Sequence, residues 1–201
     1  MTIVPPLLDT GFPFVVSGPS GVGKTVVCRA VLDQIPRSER SISATTRERR
    51  EGEVDGESYF FYSPAQFAAE VESGGMAEWA EVHGRLYGTP RAWLDRRLAA
   101  GVTVVLNIDV QGGLAIRRAY PDCVLVFLLP PSVEVLRARL EGRATDGQPE
   151  VERRLKRAIE EMAFVDEYDY VVVNGELEAA GAELLAIVRA ERARVSRRRP
   201  K

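Results

Sequence analysis

Cysteine, histidine and net charge are all scarce in this chain, and each scarcity removes a class of function. The 201 residues include two cysteines, Cys28 and Cys123, and a single histidine, His83. The cysteines stand far apart, in neither C-x-x-C nor metal-ligand spacing, so they read as reduced thiols filling small places in a core. His83 has no neighbour in sequence that would make it a metal ligand or a catalytic base. Lys and Arg total 27 against 29 Asp and Glu, a formal charge of −2. That balance argues against a nucleic-acid coat and a polybasic membrane binder, so any anion site must be local. No apolar run approaches the ~20 residues a membrane span needs. The opening MTIVPPLLDTGFP lacks the basic-then-apolar pattern of a signal peptide. The expectation is a soluble, cytoplasmic protein with neither a nucleic-acid nor a membrane partner.

With 45% hydrophobic and 28% charged residues, the chain can bury one full core and carry a small appended lobe. Short β-branched runs at 12–17 (FPFVVS), 102–108 (VTVVLNI), 123–129 (CVLVFLL) and 170–173 (YVVV) suit strands covered on both faces. Between them, helical patterns occupy 24–33, 90–100, 114–120, 133–140, 150–164 and 177–195. This alternation predicts an α/β fold, a three-layer core with a central parallel sheet. The segment of about 41–89 breaks the pattern with strand-like pieces, SISATT, SYFFY and MAEWAEVHG, and one short helix at 65–72. It reads as a small mixed α/β lobe inserted between core segments of about 12–40 and 90–195. A polar stretch between two helices, EGRATDGQPE at 141–150, reads as a mobile flap, and the basic tail SRRRPK as a solvated helix end.

Chemistry enters with FVVSGPSGVGKTVV, where Gly18, Gly21, Gly23, Lys24 and Thr25 fill G-x-x-x-x-G-K-S/T between a strand pattern and a helix pattern. Glycines let successive N–H groups turn inward on an anion, and the helix dipole adds partial positive charge. The segment Gly18, Pro19, Ser20, Gly21, Val22, Gly23, Lys24 and Thr25 therefore reads as a cradle for the phosphates of ATP. Lys24 would reach the β and γ phosphates, and the Thr25 hydroxyl would ligate Mg²⁺. ATPases, switch GTPases and small-molecule kinases share such a turn. The lobe narrows the choice, because Ser43, Arg47, Arg50 and Tyr59 cluster in one block while Glu78, Tyr87 and Thr89 cluster in another. Arginine forks and phenol hydroxyls are donors suited to a phosphate monoester.

The blocks SGPSGVGKT, TTRERREGEVDGESYFF, EWAEVHGRLYGT, NIDVQGG, FLLPPS, RLEGRATD and YDYVVVN, in this order from about Phe14 to Arg194, resemble guanylate kinase. The resemblance implies the nucleoside monophosphate kinase form of the P-loop fold, with a core, a GMP-binding lobe (about 41–89) and a lid (about 141–155). It implies transfer of the γ-phosphoryl group of ATP to GMP, in line and with Mg²⁺. It places Ser43, Glu78 and Thr89 at guanine-recognising positions, and Arg47, Arg50, Tyr59 and Tyr87 at GMP-phosphate positions. Arg143 and Arg154 fall on lid arginines, and Asn174 on an adenine-contacting position. Lys24, Arg50, Arg143 and Arg154 are thus the implied catalytic cations.

The residue chemistry agrees. Guanine presents N1–H and N2–H side by side, so one carboxylate accepts both, whereas adenine would leave it unpaired. Glu78 is the expected reader. Cations on a closing flap would offset the joined phosphate charges and exclude water. Arg137, Arg139, Arg153 and Arg157 have helical spacing and read as solvent-face charges. Three positions depart from the family pattern: Arg49 in place of Pro, Gly175 in place of Asp, and Asn107 in place of the first Asp of D-I-D. The last leaves Asp109 as the only carboxylate of its pair on the substrate side. Two alternatives stay open: a kinase for another nucleoside monophosphate, and a guanylate-kinase-like protein-binding module without turnover.

Overall fold

The computed structural model describes residues 7–82, 84–142 and 148–200. A short strand β1 (Leu7–Asp9) precedes β2 (Pro13–Ser17), whose five residues are all buried. Helix α1 (Lys24–Leu32) and β3 (Ser38–Arg40) follow. The chain then leaves the core for β4 (Ala44–Thr45), β5 (Phe60–Phe61), α2 (Pro64–Glu72), β6 (Met76–Val82) and β7 (Arg85–Pro90). It returns through α3 (Arg91–Ala99), β8 (Thr103–Asn107), α4 (Val110–Ala119), β9 (Val124–Leu129), α5 (Val133–Glu141) and α6 (Gln148–Met162). Finally come β10 (Tyr170–Val173), α7 (Leu177–Ala193) and β11 (Arg198–Pro200).

Five parallel strands form the core sheet in the order β10-β9-β2-β8-β3. Alternation along β2 sorts its side chains to opposite faces. Phe14 and Val16 pack with Val27, Val31, Leu184 and Val188 of α1 and α7, while Val15 packs with Leu94, Leu106 and Ile116 on the side of α3 and α4. Both faces are covered, which is why these strands read as continuous apolar runs. Because β2 lies between β8 and β9, the turn leaving it opens at the crevice where the sheet reverses its winding, the usual ligand site of such folds. The second sheet is mixed, in the order β5-β4-β7-β6, and packs around Ala44, Phe67 and Met76. Its helix α2 begins with a capping box, Ser63 with Gln66, and Pro64 in the first turn. Helices α5 and α6 pack through Leu136, Leu140, Val151, Leu155 and Ala158.

The α/β core, its inserted mixed sheet and most elements match expectation, with instructive differences. Helix α4 starts at Val110, four positions before the expected Leu114, because Asp109 caps it by accepting from Gly112 N at 2.8 Å. Strands β3 and β7 lack the apolar signal of the others, being held by pairing with β8 and β6. Part of the expected flap, from Gln148 onward, is the first turn of α6. Residues 143–147, Arg143 among them, and His83 lie outside the described residues. The tail is not a solvated helix end. β11 pairs antiparallel with β1, and the Arg197 side chain is buried, 3.8 Å over the Phe12 ring. It donates to Glu191 Oε2 at 3.1 Å and to the Asp122 carbonyl at 2.9 Å. Both cysteines are buried and unpaired. Among the described residues no helix is long and apolar enough to cross a membrane.

Candidate active site

The turn after β2 is built on positive φ angles at Gly18 (143°), Gly21 (87°) and Gly23 (100°). A Cβ at Gly18 would lie 2.2 Å from the Leu128 carbonyl oxygen, and one at Gly23 would lie 2.5 Å from Asn174 Nδ2. Neither position admits a side chain. Lys24 folds over the turn and donates to the carbonyls of Gly18 (2.6 Å) and Pro19 (3.2 Å), where it faces the space a phosphate chain would fill. Thr25 is exposed in the first turn of α1, and its Oγ1 accepts from Asn107 Nδ2 at 2.9 Å.

Three further elements reach this turn. Arg154 of α6 donates to Ser20 Oγ at 3.1 Å, so the implied lid arginine already stands against the cradle. The buried Asn174 amide donates to the Val22 carbonyl at 2.7 Å and braces the turn from below. Arg139 corrects an expectation: instead of facing solvent it donates to Val22 (3.3 Å), Asn174 (3.0 Å) and Gly175 (3.4 Å) carbonyls. Arg137, Arg153 and Arg157 do sit on helix surfaces, paired with Glu152, Glu150 and Glu161.

In the lobe, one carboxylate organises the arginine block. Glu53 accepts from Arg47 Nη2 at 2.6 Å and from the Arg50 backbone N–H at 2.8 Å. These bonds, the one from Arg47 first, hold its carboxyl below the ordinary range. The Arg47 guanidinium lies 5.4 Å from the Tyr59 ring centre, and Tyr59 meets Tyr87 edge-on at 6.1 Å. Arg47, Tyr59 and Tyr87 are thereby gathered, with the exposed Arg50 alongside. Ser43 and Tyr59 line one wall of a cleft of about 530 Å³ whose other wall includes Thr25 and Asn107 of the core. The cleft thus runs between the start of α1 and the Ser43–Tyr59 side of the lobe; of the turn 18–25 it is lined by Thr25, and Glu78, Arg47, Arg50, Tyr87 and Thr89 lie off it.

Glu78 lies on β6 opposite Thr89 of β7 and is 7% exposed. Thr89 Oγ1 donates to its Oε1 at 2.6 Å. Burial pushes its pKa up to about 7, a rise that the Thr89 bond opposes and the Asp109 charge assists. Its Oε2 would be 3.1 Å from a Cβ at Gly112, so a side chain there would crowd the carboxylate and the glycine at the start of α4 gives it room. A buried carboxylate with one neutral donor retains acceptor capacity for a ligand.

The guanylate kinase family model matches residues 10–191. This chain belongs to the guanylate kinase family. The guanylate kinase of Symbiobacterium thermophilum is 48% identical over 187 residues, covering 93% of this chain and 89% of that protein. That of Caldanaerobacter subterraneus is 43% identical over 187 residues, covering 93% and 91%. The crystal structure of guanylate kinase from Anaplasma phagocytophilum superposes with a TM-score of 0.75 at 34% identity, over 96% of this chain and 92% of that one. The P-loop kinase fold and family membership are therefore established together.

Sequence reasoning missed three residues of this site. Glu53 looked like part of a charged turn, although a carboxylate three positions after Arg50 is the residue able to pin both arginine positions. Arg139 has the spacing of a surface charge, and only the approach of 174–175 to the turn reveals it. Gly112 stood out only as part of NIDVQGG, and its place beside Glu78 shows only in the fold.

Proposed function

We propose that this protein transfers the γ-phosphoryl group of ATP to GMP, giving ADP and GDP. The observation that carries the base choice is Glu78, a buried carboxylate whose hydrogen-bond partner among the described residues is the neutral Thr89. It is suited to accept N1–H and N2–H of guanine, with Ser43 as a further polar contact. Arg47, Arg50, Tyr59 and Tyr87 would hold the GMP phosphate, with Glu53 fixing the approach of the arginines. The segment 18–25 would cradle the ATP phosphates, Lys24 turning from the carbonyls of Gly18 and Pro19 to the β and γ oxygens.

The attacking phosphate oxygen is already anionic, so no strong base is needed and positioning with charge stabilisation carries the reaction. Arg154, at Ser20, and Arg143 would brace the moving phosphoryl group. Arg139 and Asn174 would support the adenine side. Oxygen donors suit a hard cation, and the Thr25 hydroxyl would supply one, with the Asn107 side chain beside it. Mg²⁺ bound there would neutralise charge on the β and γ phosphates.

An ADP-release assay across AMP, GMP, CMP and UMP tests this reading. ADP release with GMP alone is expected. Preference for another monophosphate would point to a different kinase, ADP release without any monophosphate to an ATPase, and no release to a binding module.

A further inference from the structure

Beneath the turn joining β8 to α4 lie two hydroxyls that the reading above leaves unused. Ser17, the fully buried last residue of β2, donates from Oγ to the Asp109 carbonyl at 3.1 Å. Tyr168, just before β10, meets Phe127 edge-on with ring centres 4.9 Å apart. Its hydroxyl is sealed from solvent and makes no hydrogen bond of regular geometry among the described residues, although the Ser17 hydroxyl lies close enough to act on its titration. Gly113 makes room for the pair: a Cβ there would lie 2.6 Å from Tyr168 Oη and 2.9 Å from Ser17 Oγ.

A buried hydroxyl without a regular hydrogen bond destabilises the fold that holds it, whereas phenylalanine would keep the ring contact without that cost. The hydroxyl is therefore unexplained by the free protein. Burial, with the Ser17 hydroxyl opposing it, pushes the phenol up to about 12, so it stays a donor at neutral pH.

Asp109 is the junction between the two substrate sides. Its carbonyl accepts from Ser17, at the root of the nucleotide turn, and its carboxylate accepts from Gly112 N–H, beside Glu78. We propose that Tyr168 is a positioning residue for the guanine side: when the substrates close the cleft, its hydroxyl donates to Ser17 Oγ and completes a Tyr168–Ser17–Asp109 relay. The relay fixes the start of α4 against Glu78. A small shift suffices, because both hydroxyls border the same vacant Cβ position. The inference rests on Glu78 as the guanine acceptor.

The test compares the parent with Tyr168→Phe, Ser17→Ala and the double variant. It reads the Tm of the free protein, the Tm gain on adding GMP with a non-hydrolysable ATP analogue, and KM and kcat for each substrate. Tyr168→Phe should leave the free Tm equal or higher, shrink the substrate-induced gain and raise KM for GMP about three- to tenfold, with KM for ATP within about twofold. The double variant should cost less than the sum of the single variants. A lower free Tm with unchanged KM, no change in any reading, or a Tyr168→Phe protein that fails to fold would each overturn the proposal. Glu78→Gln run in parallel separates the premises: unaltered GMP use there sinks the Glu78 reading itself. A damaged Glu78→Gln beside an unaltered Tyr168→Phe sinks only the relay.

Discussion

The side-chain amide of Asn107 donates to the hydroxyl of Thr25 across 2.9 Å, joining the end of β8 to the first turn of α1. An aspartate there would accept the hydroxyl proton instead and add a full negative charge beside the nucleotide turn. The Asn107 carbonyl oxygen would still accept from a water on a bound metal, so the neutral site is expected to remain competent. Asn107→Asp is expected to tighten the Mg²⁺ dependence and raise turnover by no more than about tenfold. A Mg²⁺ titration of turnover for both proteins checks this. A gain beyond about a hundredfold would mean that the amide cripples the site.

Glu78 gives the protein a pH signature. A carboxyl raised from 4.5 to about 7 holds its proton in the folded state after the unfolded chain has released it. Stability from this group therefore falls as pH rises from about 4.5 to 7, by on the order of 3 kcal/mol, and levels off above. Guanine needs the charged form, so GMP affinity should rise over the same interval. Thermal unfolding of the parent and Glu78→Gln from pH 5 to 8, without ligand, should show the parent losing its relative stability with rising pH. Parallel curves would contradict the assignment.

Arg139 ties the last turn of α5 to the nucleotide turn and to the loop after β10 through three carbonyls. Arg139→Ala should raise KM for ATP about tenfold or more while changing KM for GMP by less than about threefold, since charge-assisted bonds contribute about 1.5–3 kcal/mol each. Initial-rate kinetics with each substrate varied separately decide this. Equal effects on both would mean a general loss of fold.

The tail makes a stability prediction that leaves chemistry aside. Arg197 is buried on Phe12 and paired with Glu191, which also accepts from Tyr170 at 2.6 Å. Arg197→Met would remove one of the two arginines paired with that buried carboxylate, Arg194 remaining at 3.2 Å, and cost about 2 kcal/mol, lowering Tm by roughly 4–8 °C in a domain of this size. Activity at low temperature should persist. A Tm within about 2 °C of the parent would show the clasp to be dispensable.

How legible the site was follows from its chemistry. The nucleotide turn could be read directly, because backbone geometry demands glycine at fixed spacing and Gly18 and Gly23 leave no room for a Cβ. The parallel core was equally plain, since strands covered on both faces must be apolar throughout. Glu78 was named from the resemblance, with its hydrogen-bonding capacity in agreement, but its burial beside Gly112 depends on the meeting of α4 with β6, which no local pattern encodes. Strand β7 was missed because its pairing with β6 supplies the order that RLYGTP lacks. Arg139 and Arg197 look like surface charges in a basic helix and tail. Only long-range contacts, with 174–175 in one case and Phe12 and Glu191 in the other, turn them inward.

The central claim, that Glu78 selects guanine for phosphoryl transfer from ATP, is tested most directly by kcat/KM for GMP in the parent and in Glu78→Gln, with KM for ATP taken in the same assay. Removing the charged acceptor of two buried donors should lower kcat/KM for GMP by about thirty- to a thousandfold, the equivalent of about 2–4 kcal/mol, and leave KM for ATP within about twofold. A Glu78→Gln protein that phosphorylates GMP as well as the parent would contradict the account.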